Sequence, residues 1–353
     1  MPERGPGQGA LPTRALATGL ALTEIGLGGA PLGNLYRAVD DATARVGFEA
    51  AWEGGVRYFD TAPHYGLGLS EERLGACLAD KPREDYVLST KVGRLLVPDP
   101  AGAGGRDDEG FDVPADMRRV WDFSRDGVLR SLEASLDRLG INRIDLVYVH
   151  DPDNHWEEAC RGAFPTLAQL REEGVIAGFG AGMNQSRLLT DLVVNFHPDV
   201  VMVAGRYTLL EQPAAQDLLP AASARGVGVV VAGVYNSGLL AVPRPGDDAP
   251  YNYGPAPAEL IDRAHRLADV CEAHGVTLPD AAVAFPLRHP AVTSVVLGAA
   301  TPEHVGQGLQ RYRADVPESL WSDLADQGLL PRELVAGETT GRHHQGGARA
   351  EFG

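Results

Sequence analysis

Cysteine is scarce in this 353-residue chain: Cys77, Cys160 and Cys271 are odd in number and far apart. That excludes a disulfide framework and fits a reducing compartment. Basic residues are also few, 31 Lys and Arg against 48 Asp and Glu, for a formal net charge of −17. No basic stretch extends beyond Arg118-Arg119, so nucleic acid is not expected as a partner. No apolar run approaches the ~20 residues that a membrane helix needs. The opening MPERGPGQGALPTRALATG has no apolar stretch, so no secretory leader is expected. No H-x-H follows the first apolar run and no carboxylate–histidine set has metal-ligand spacing, so no metal is expected. G-x-S-x-G is absent, which removes the nucleophile elbow of a serine hydrolase. What remains is a cytoplasmic globular protein whose 44% hydrophobic content supplies a sizeable core.

Eight apolar runs, most of them rich in β-branched residues, recur along the chain. They cover 25–32, 56–62, 86–92, 144–151, 175–182, 199–205, 226–234 and 292–299. Such runs read as strands buried on both faces, as in a parallel sheet. Segments of helical period lie between most of them, at 41–53, 70–78, 125–139, 164–173 and 260–274. Ser70 is expected to cap the second of these, with Glu71 and Glu72 in its first turn. Eight strand–helix repeats predict an α/β fold, a single closed (β/α)8 barrel with long active-site loops. A doubly wound nucleotide-binding fold is the rival, but neither GLGG nor GFGAG completes G-x-G-x-x-G with an acidic residue at the right offset. The expected boundaries are a flexible terminus over 1–14, the barrel over 15–335 and a flexible Gly-rich tail over 336–353, which includes His343 and His344.

Two stretches break the rhythm. Residues 93–123 are too long for an ordinary strand–helix connection, and 241–258 is rich in Pro and Gly with Tyr251 and Tyr253. Both follow the C-terminal ends of strands, the face where barrels build their active sites, so each reads either as a lid or as a solvated insertion.

Four polar residues mark the same face. Asp60 ends the second strand, Tyr65 follows it, Lys91 lies inside the third and His150 ends the fourth. Asp and Lys in apolar strands need each other or a ligand. The bland reading is an ion pair that helps to close the barrel; Tyr65 and His150 on the same rim favour a site. A phenol, with a pKa of about 10, is a sluggish proton carrier near neutrality, and a neighbouring ammonium lowers that value. Bringing it to pH 7–8 takes roughly 3–4 kcal/mol of local bias, which a buried Asp–Lys pair is expected to supply. His64 and Trp156 are candidates for the substrate pocket, although an isolated Trp is more often core or lid packing.

GVRYFDTAPHYG, SEERLG, LSTKVG and LVYVHDPD resemble, in order, the motifs of the aldo-keto reductase superfamily. The resemblance runs from about residue 25 to 310. Within the superfamily, KVGRLLVPDP with its long insertion, GRYTLLEQ and GVYNSGLL resemble the branch of aldose 1-dehydrogenases acting on L-fucose and D-threo-aldoses; pyridoxal 4-dehydrogenases are similar to the same branch. The resemblance implies a catalytic tetrad of Asp60, Tyr65, Lys91 and His150. It also implies a nicotinamide cofactor bound without a separate nucleotide-binding domain. Asn184 matches the residue that holds the carboxamide, and Asn236, Ser237, Gly238 and Leu240 match the loop over the pyrophosphate. Gly298 and Thr301 begin the segment that grips the adenosine phosphate. Met183, Ala204 and Ala232 depart from the pattern around the nicotinamide. Ala300, His304 and Gly308 stand where NADP users often have basic or amide residues, and a 2′-phosphate needs Arg or Lys. NAD is therefore expected, with NADP the alternative. The reading implies oxidation of an aldose such as L-fucose at C1. Its alternatives are pyridoxal oxidation, NADPH-dependent reduction of an aldehyde or ketone, and a nicotinamide-sensing protein, which would have no need of the whole tetrad. A small carbonyl or sugar is the expected partner, and the oligomeric state is left open.

Overall fold

The computed structural model describes residues 11–252 and 254–335. The chain opens with an antiparallel hairpin of β1 (Thr13–Ala15) and β2 (Ala21–Thr23). Barrel strands β3 (Ile25–Gly28), β4 (Tyr58–Asp60) and β5 (Val87–Val92) follow, and then a second hairpin, β6 (Arg94–Pro98) and β7 (Met117–Trp121). The barrel continues with β8 (Leu146–His150), β9 (Gly178–Met183), β10 (Val200–Ala204) and β11 (Gly228–Ala232). A short pair, β12 (Pro250–Tyr251) and β13 (Gly254–Pro255), precedes the closing strand β14 (Val292–Gly298). The eight barrel strands close in the order β10-β11-β14-β3-β4-β5-β8-β9, all parallel. The architecture is thus the single α/β barrel that the eight apolar runs predict.

Helices α1 (Asp41–Glu53), α2 (Leu69–Leu78), α3 (Arg125–Leu139), α4 (Trp156–Arg161), α5 (Ala163–Glu172), α6 (Ser186–Phe196), α7 (Leu218–Arg225), α8 (Ala258–Ala273), α9 (Leu278–Ala284), α10 (Pro302–Arg313) and α11 (Glu318–Asp326) cover the barrel. In α1 the Asp40 side chain accepts from the Thr43 amide at 2.6 Å, and Ala44, Gly47, Phe48 and Ala51 form its buried stripe. Ser124 caps α3, and Gly140 ends it in the left-handed region. Ser70 does not cap α2. Gly68, at φ 98°, stands at that position, while Ser70 is the second residue of the helix and donates to the Gly29 carbonyl at 2.7 Å. Two of the helices that the periodicity does not single out are α6 and α7, which lie on the outer layer.

The first hairpin plugs the barrel. Leu16 and Leu22 pack inside it with Tyr58, Tyr148, Met202 and Val230. Arg14 pairs with Glu24 at 2.7 Å and donates to the Leu287 and Val292 carbonyls, so residues 11–14 belong to the folded body and not to a loose terminus. Residues 1–10, Tyr253 and 336–353, including the His343-His344 pair, lie outside the described residues. Among the described residues no helix is long and apolar enough to cross a membrane.

Gly180 on β9 marks the closest backbone approach. A Cβ there would sit 1.7 Å from the Val200 carbonyl oxygen, and backbone cannot step aside. Gly180→Ala is therefore expected to cost about 3 kcal/mol or more, read as a fall in the urea midpoint. An unchanged midpoint would contradict the approach.

Candidate active site

Strand pleating stacks the site in layers. Inward positions alternate, so Tyr58 lies below Asp60 on β4, Ser89 below Lys91 on β5, and Tyr148 below His150 on β8. In the upper layer Lys91 Nζ donates to Asp60 Oδ2 at 2.6 Å and to the Thr61 carbonyl at 3.0 Å. Both side chains are only 2% exposed. Ser89 Oγ donates to the other Asp60 oxygen at 2.7 Å, and the Tyr58 hydroxyl lies 3.1 Å from both Ser89 Oγ and the Tyr148 hydroxyl. The lower layer thus holds the aspartate from beneath. Burial pulls the Lys91 ammonium down, but Asp60 and the Tyr65 phenol outweigh it, and the group is held above its ordinary value.

Tyr65 sits in the loop after β4. That loop passes against Gly33: a Cβ on Gly66, at φ +63°, would strike the Gly33 carbonyl at 2.3 Å. Two facing glycines therefore set the tyrosine's depth. Its half-buried ring is centred 4.7 Å from Lys91 Nζ. The phenol is nevertheless raised, not lowered. Burial is the largest cause; the Lys91 charge pulls the other way and is partly cancelled by Asp60. The sequence-based expectation of a phenol brought to neutrality in the resting site is thus corrected: desolvation exceeds what the ammonium returns.

His150 is buried, and its Nε2 lies 3.6 Å from Asp151 Oδ2. Its pKa is held well below the ordinary value, by burial first and then by Arg94 and Lys91. His64 is lowered to about 2 by burial, Arg94 and Arg119. Burial and the neighbouring cations disfavour the charged form of both imidazoles, so His150 can hydrogen-bond a substrate oxygen without adding charge. Among the described residues, His150 Nδ1 is buried without a hydrogen-bond partner.

The 93–123 insertion is neither loose nor remote. Phe111, beyond β6, folds back so that its ring packs against His64 at 5.1 Å and Tyr65 at 6.1 Å. Arg94, at the start of β6, pairs with Asp151 and lies 3.3 Å from His64 Nδ1. Arg119 donates to the His64 carbonyl at 2.9 Å. Sequence reading leaves Arg94, Phe111, Asp151 and Ser89 unassigned. Arg94 and Asp151 carry a signal, a charge directly after a barrel strand. Phe111 carries none, because only the hairpin brings it back to the mouth.

The remaining candidates divide. His64 belongs to the tyrosine's surroundings, with ring centroids 5.9 Å apart. Trp156 does not: its ring partner is Phe164, 5.4 Å away in the helical layer, the packing role that an isolated Trp most often fills. Asn184 directly follows β9, half-buried. Asn236 and Ser237, at φ 47° and 61°, form with Gly238 a tight turn after β11. Among the described residues, Asn236 Oδ1 is buried without a hydrogen-bond partner. Leu240 lies wholly in the core with its amide given to the Tyr235 carbonyl at 3.0 Å, so it offers a ligand neither side chain nor N–H. Gly298, His304, Gly308 and Arg311 line a cavity of about 280 Å³ between β14 and α10. Thr301 caps α10 by accepting from the His304 amide, leaving a helix N-terminus at the edge of this cavity. Ala300 is buried. The orphaned amide oxygen, the turn and the helix start fit an extended dinucleotide. Among the described residues, no group of three or more His, Cys, Asp and Glu is arranged to hold a metal ion.

A single parallel barrel with a tyrosine, a buried lysine–aspartate pair and a buried histidine at its C-terminal mouth defines a class: barrel oxidoreductases that act on carbonyl or alcohol groups with a nicotinamide cofactor. The chain belongs to the aldo/keto reductase family, whose model matches residues 24–325. It is 49% identical over 320 residues to a D-threo-aldose 1-dehydrogenase of Pseudomonas sp, covering 90% of this chain and 97% of that one. It is 43% identical over 335 residues to a pyridoxal 4-dehydrogenase of Microbacterium luteolum, with 90% and 97% covered. Among solved structures, a glycerol dehydrogenase of Gluconobacter oxydans superposes with a TM-score of 0.72 at 23% identity, over 93% of this chain and 98% of that one, a likeness of fold.

Proposed function

We propose that this enzyme oxidises the cyclic form of an aldose, L-fucose being the leading case, at C1 to the lactone with NAD as acceptor. The observation that carries the reading is the 2.6 Å Lys91–Asp60 pair beneath Tyr65, beside the buried His150. The 49% identity to an aldose 1-dehydrogenase supports the substrate class. In this reading His150 Nε2 orients the C1 oxygen and Tyr65 Oη takes the C1 hydroxyl proton. Lys91 stabilises the phenolate form that accepts this proton, and Asp60 keeps Lys91 charged and in place. A bound nicotinamide would supply the acceptor for the hydride that leaves C1. Asn184 would hold the carboxamide, the turn at Asn236, Ser237 and Gly238 would cover the pyrophosphate, and Gly298 with Thr301 would face the adenosine end.

NAD is favoured over NADP because no Lys or Arg stands at 300, 304 or 308. Arg311 is engaged already: it donates to the Ala241 carbonyl at 2.7 Å and lies over the Tyr235 ring. Three free thiols suit a cytoplasmic setting. The test is NADH formation by purified enzyme against aldoses, pyridoxal and simple alcohols with each cofactor. Aldoses are expected to be turned over, with kcat/KM at least tenfold higher for NAD than for NADP. A preference for pyridoxal moves the enzyme to the activity of its 43%-identical relative, and cofactor binding without any turnover makes it a sensor. A clear NADP preference overturns the cofactor assignment.

A further inference from the structure

We propose that Arg94 and Asp151 form a hydroxyl clamp that selects substrates carrying a hydroxyl on the carbon next to the reacting one. The inference rests on the aldose reading and names the feature of the sugar that is recognised. Arg94 Nη2 and His150 Nε2 converge on the same carboxylate oxygen, Asp151 Oδ2, the latter from 3.6 Å. An oxygen held by His150 therefore brings the oxygen of the adjacent carbon within reach of the ion pair. A hydroxyl suits that place because it donates to the carboxylate and accepts from the guanidinium at once. A methylene there would desolvate a charged pair and return nothing.

Three observations separate this pair from a mere strut between hairpin and barrel. Asp151 adopts φ +42°, a left-handed backbone that costs a non-glycine residue energy and turns its side chain toward Arg94 and His150. The carboxylate is not sealed: its side chain is 36% exposed, against 11% for Arg94, and Oδ1 takes part in neither contact. The hairpin is also tied down elsewhere, by Arg119 to the His64 carbonyl, by the Leu35–Phe111 bridge and by the Tyr36 amide on the Gly110 carbonyl. Trp121 underlies the clamp, with its ring 4.4 Å from the Arg94 guanidinium, and supplies a fluorescent reporter.

The experiment compares L-fucose with 2-deoxy-L-fucose in the wild type, Asp151→Asn and Asp151→Ala. The expected result is a wild-type kcat/KM ratio of about a hundredfold or more in favour of the hydroxylated sugar, collapsing to within about fivefold in both variants. Asp151→Asn retains the shape of the side chain, so a folding defect confined to the alanine variant leaves the test intact. Equal losses on the two sugars, with the ratio preserved, would reduce the pair to a structural tie and overturn the clamp. Sugar binding is read separately in the Tyr65→Phe enzyme with NAD, as a change in tryptophan emission that disappears in Trp121→Phe. If the wild type oxidises no aldose, the function reading fails by itself. The clamp is then decided by this titration, where equal affinity for the two sugars overturns it and a preference for L-fucose abolished by Asp151→Asn supports it.

Discussion

Tyr65→Phe is expected to lower kcat for aldose oxidation by about 10³–10⁴-fold while leaving the Kd for NAD nearly unchanged. The magnitude is that of a positioned general base. The phenylalanine keeps the ring contacts with Phe111 and His150, so packing at the mouth is retained and only the hydroxyl is lost. Stopped-flow kinetics together with cofactor titration check it; a variant retaining most of its activity would remove Tyr65 from the proton transfer. The wild-type pH profile carries the same assignment. Oxidation needs the phenolate, and burial holds the phenol above its ordinary value. Oxidation should therefore accelerate as pH rises toward that pKa, whereas the reverse reduction, which needs the phenol, should weaken only above it. His150 is held well below its ordinary value and His64 at about 2, so neither imidazole should add a limb near pH 6.5.

Lys91→Met should be nearly as damaging to activity, about 10³-fold near pH 8, and unlike Tyr65→Phe it should also destabilise the fold. Lys91 is the largest influence pulling the phenol down; without it, burial and Asp60 act unopposed. Each further unit of upward displacement removes tenfold of the phenolate at fixed pH. The stability loss has a different origin. Asp60, 2% exposed, would retain the Ser89 hydrogen bond but lose its counter-charge, and breaking one side of a buried pair costs about 3–5 kcal/mol. The double variant Asp60→Asn with Lys91→Met removes both charges and should recover much of the stability and none of the activity. Recovery of activity in the double variant would mean that the pair serves only to close the barrel.

The sequence was most informative where its signals are local or periodic. The β-branched runs and their spacing determined a closed parallel barrel, because strands buried on both faces must be apolar throughout. A charge inside such a run stands out, and this made Asp60 and Lys91 visible one by one. Their alternation with Tyr58 and Ser89 also follows from the period of a strand. The hairpin of 94–121 was not legible, since its antiparallel pairing, from Pro98 with Met117 to Arg94 with Trp121, joins residues far apart in the chain. Phe111 over the tyrosine and Arg94 against Asp151 therefore appeared only in three dimensions. The direction of the Tyr65 shift was likewise a tertiary matter: residue types show that an ammonium is near, but only the packed site fixes how much water the phenol loses. Chain order determined which groups reach the mouth of the barrel, and burial and cross-loop pairing decided their charge states, because desolvation is a property of the assembled surroundings and not of any segment.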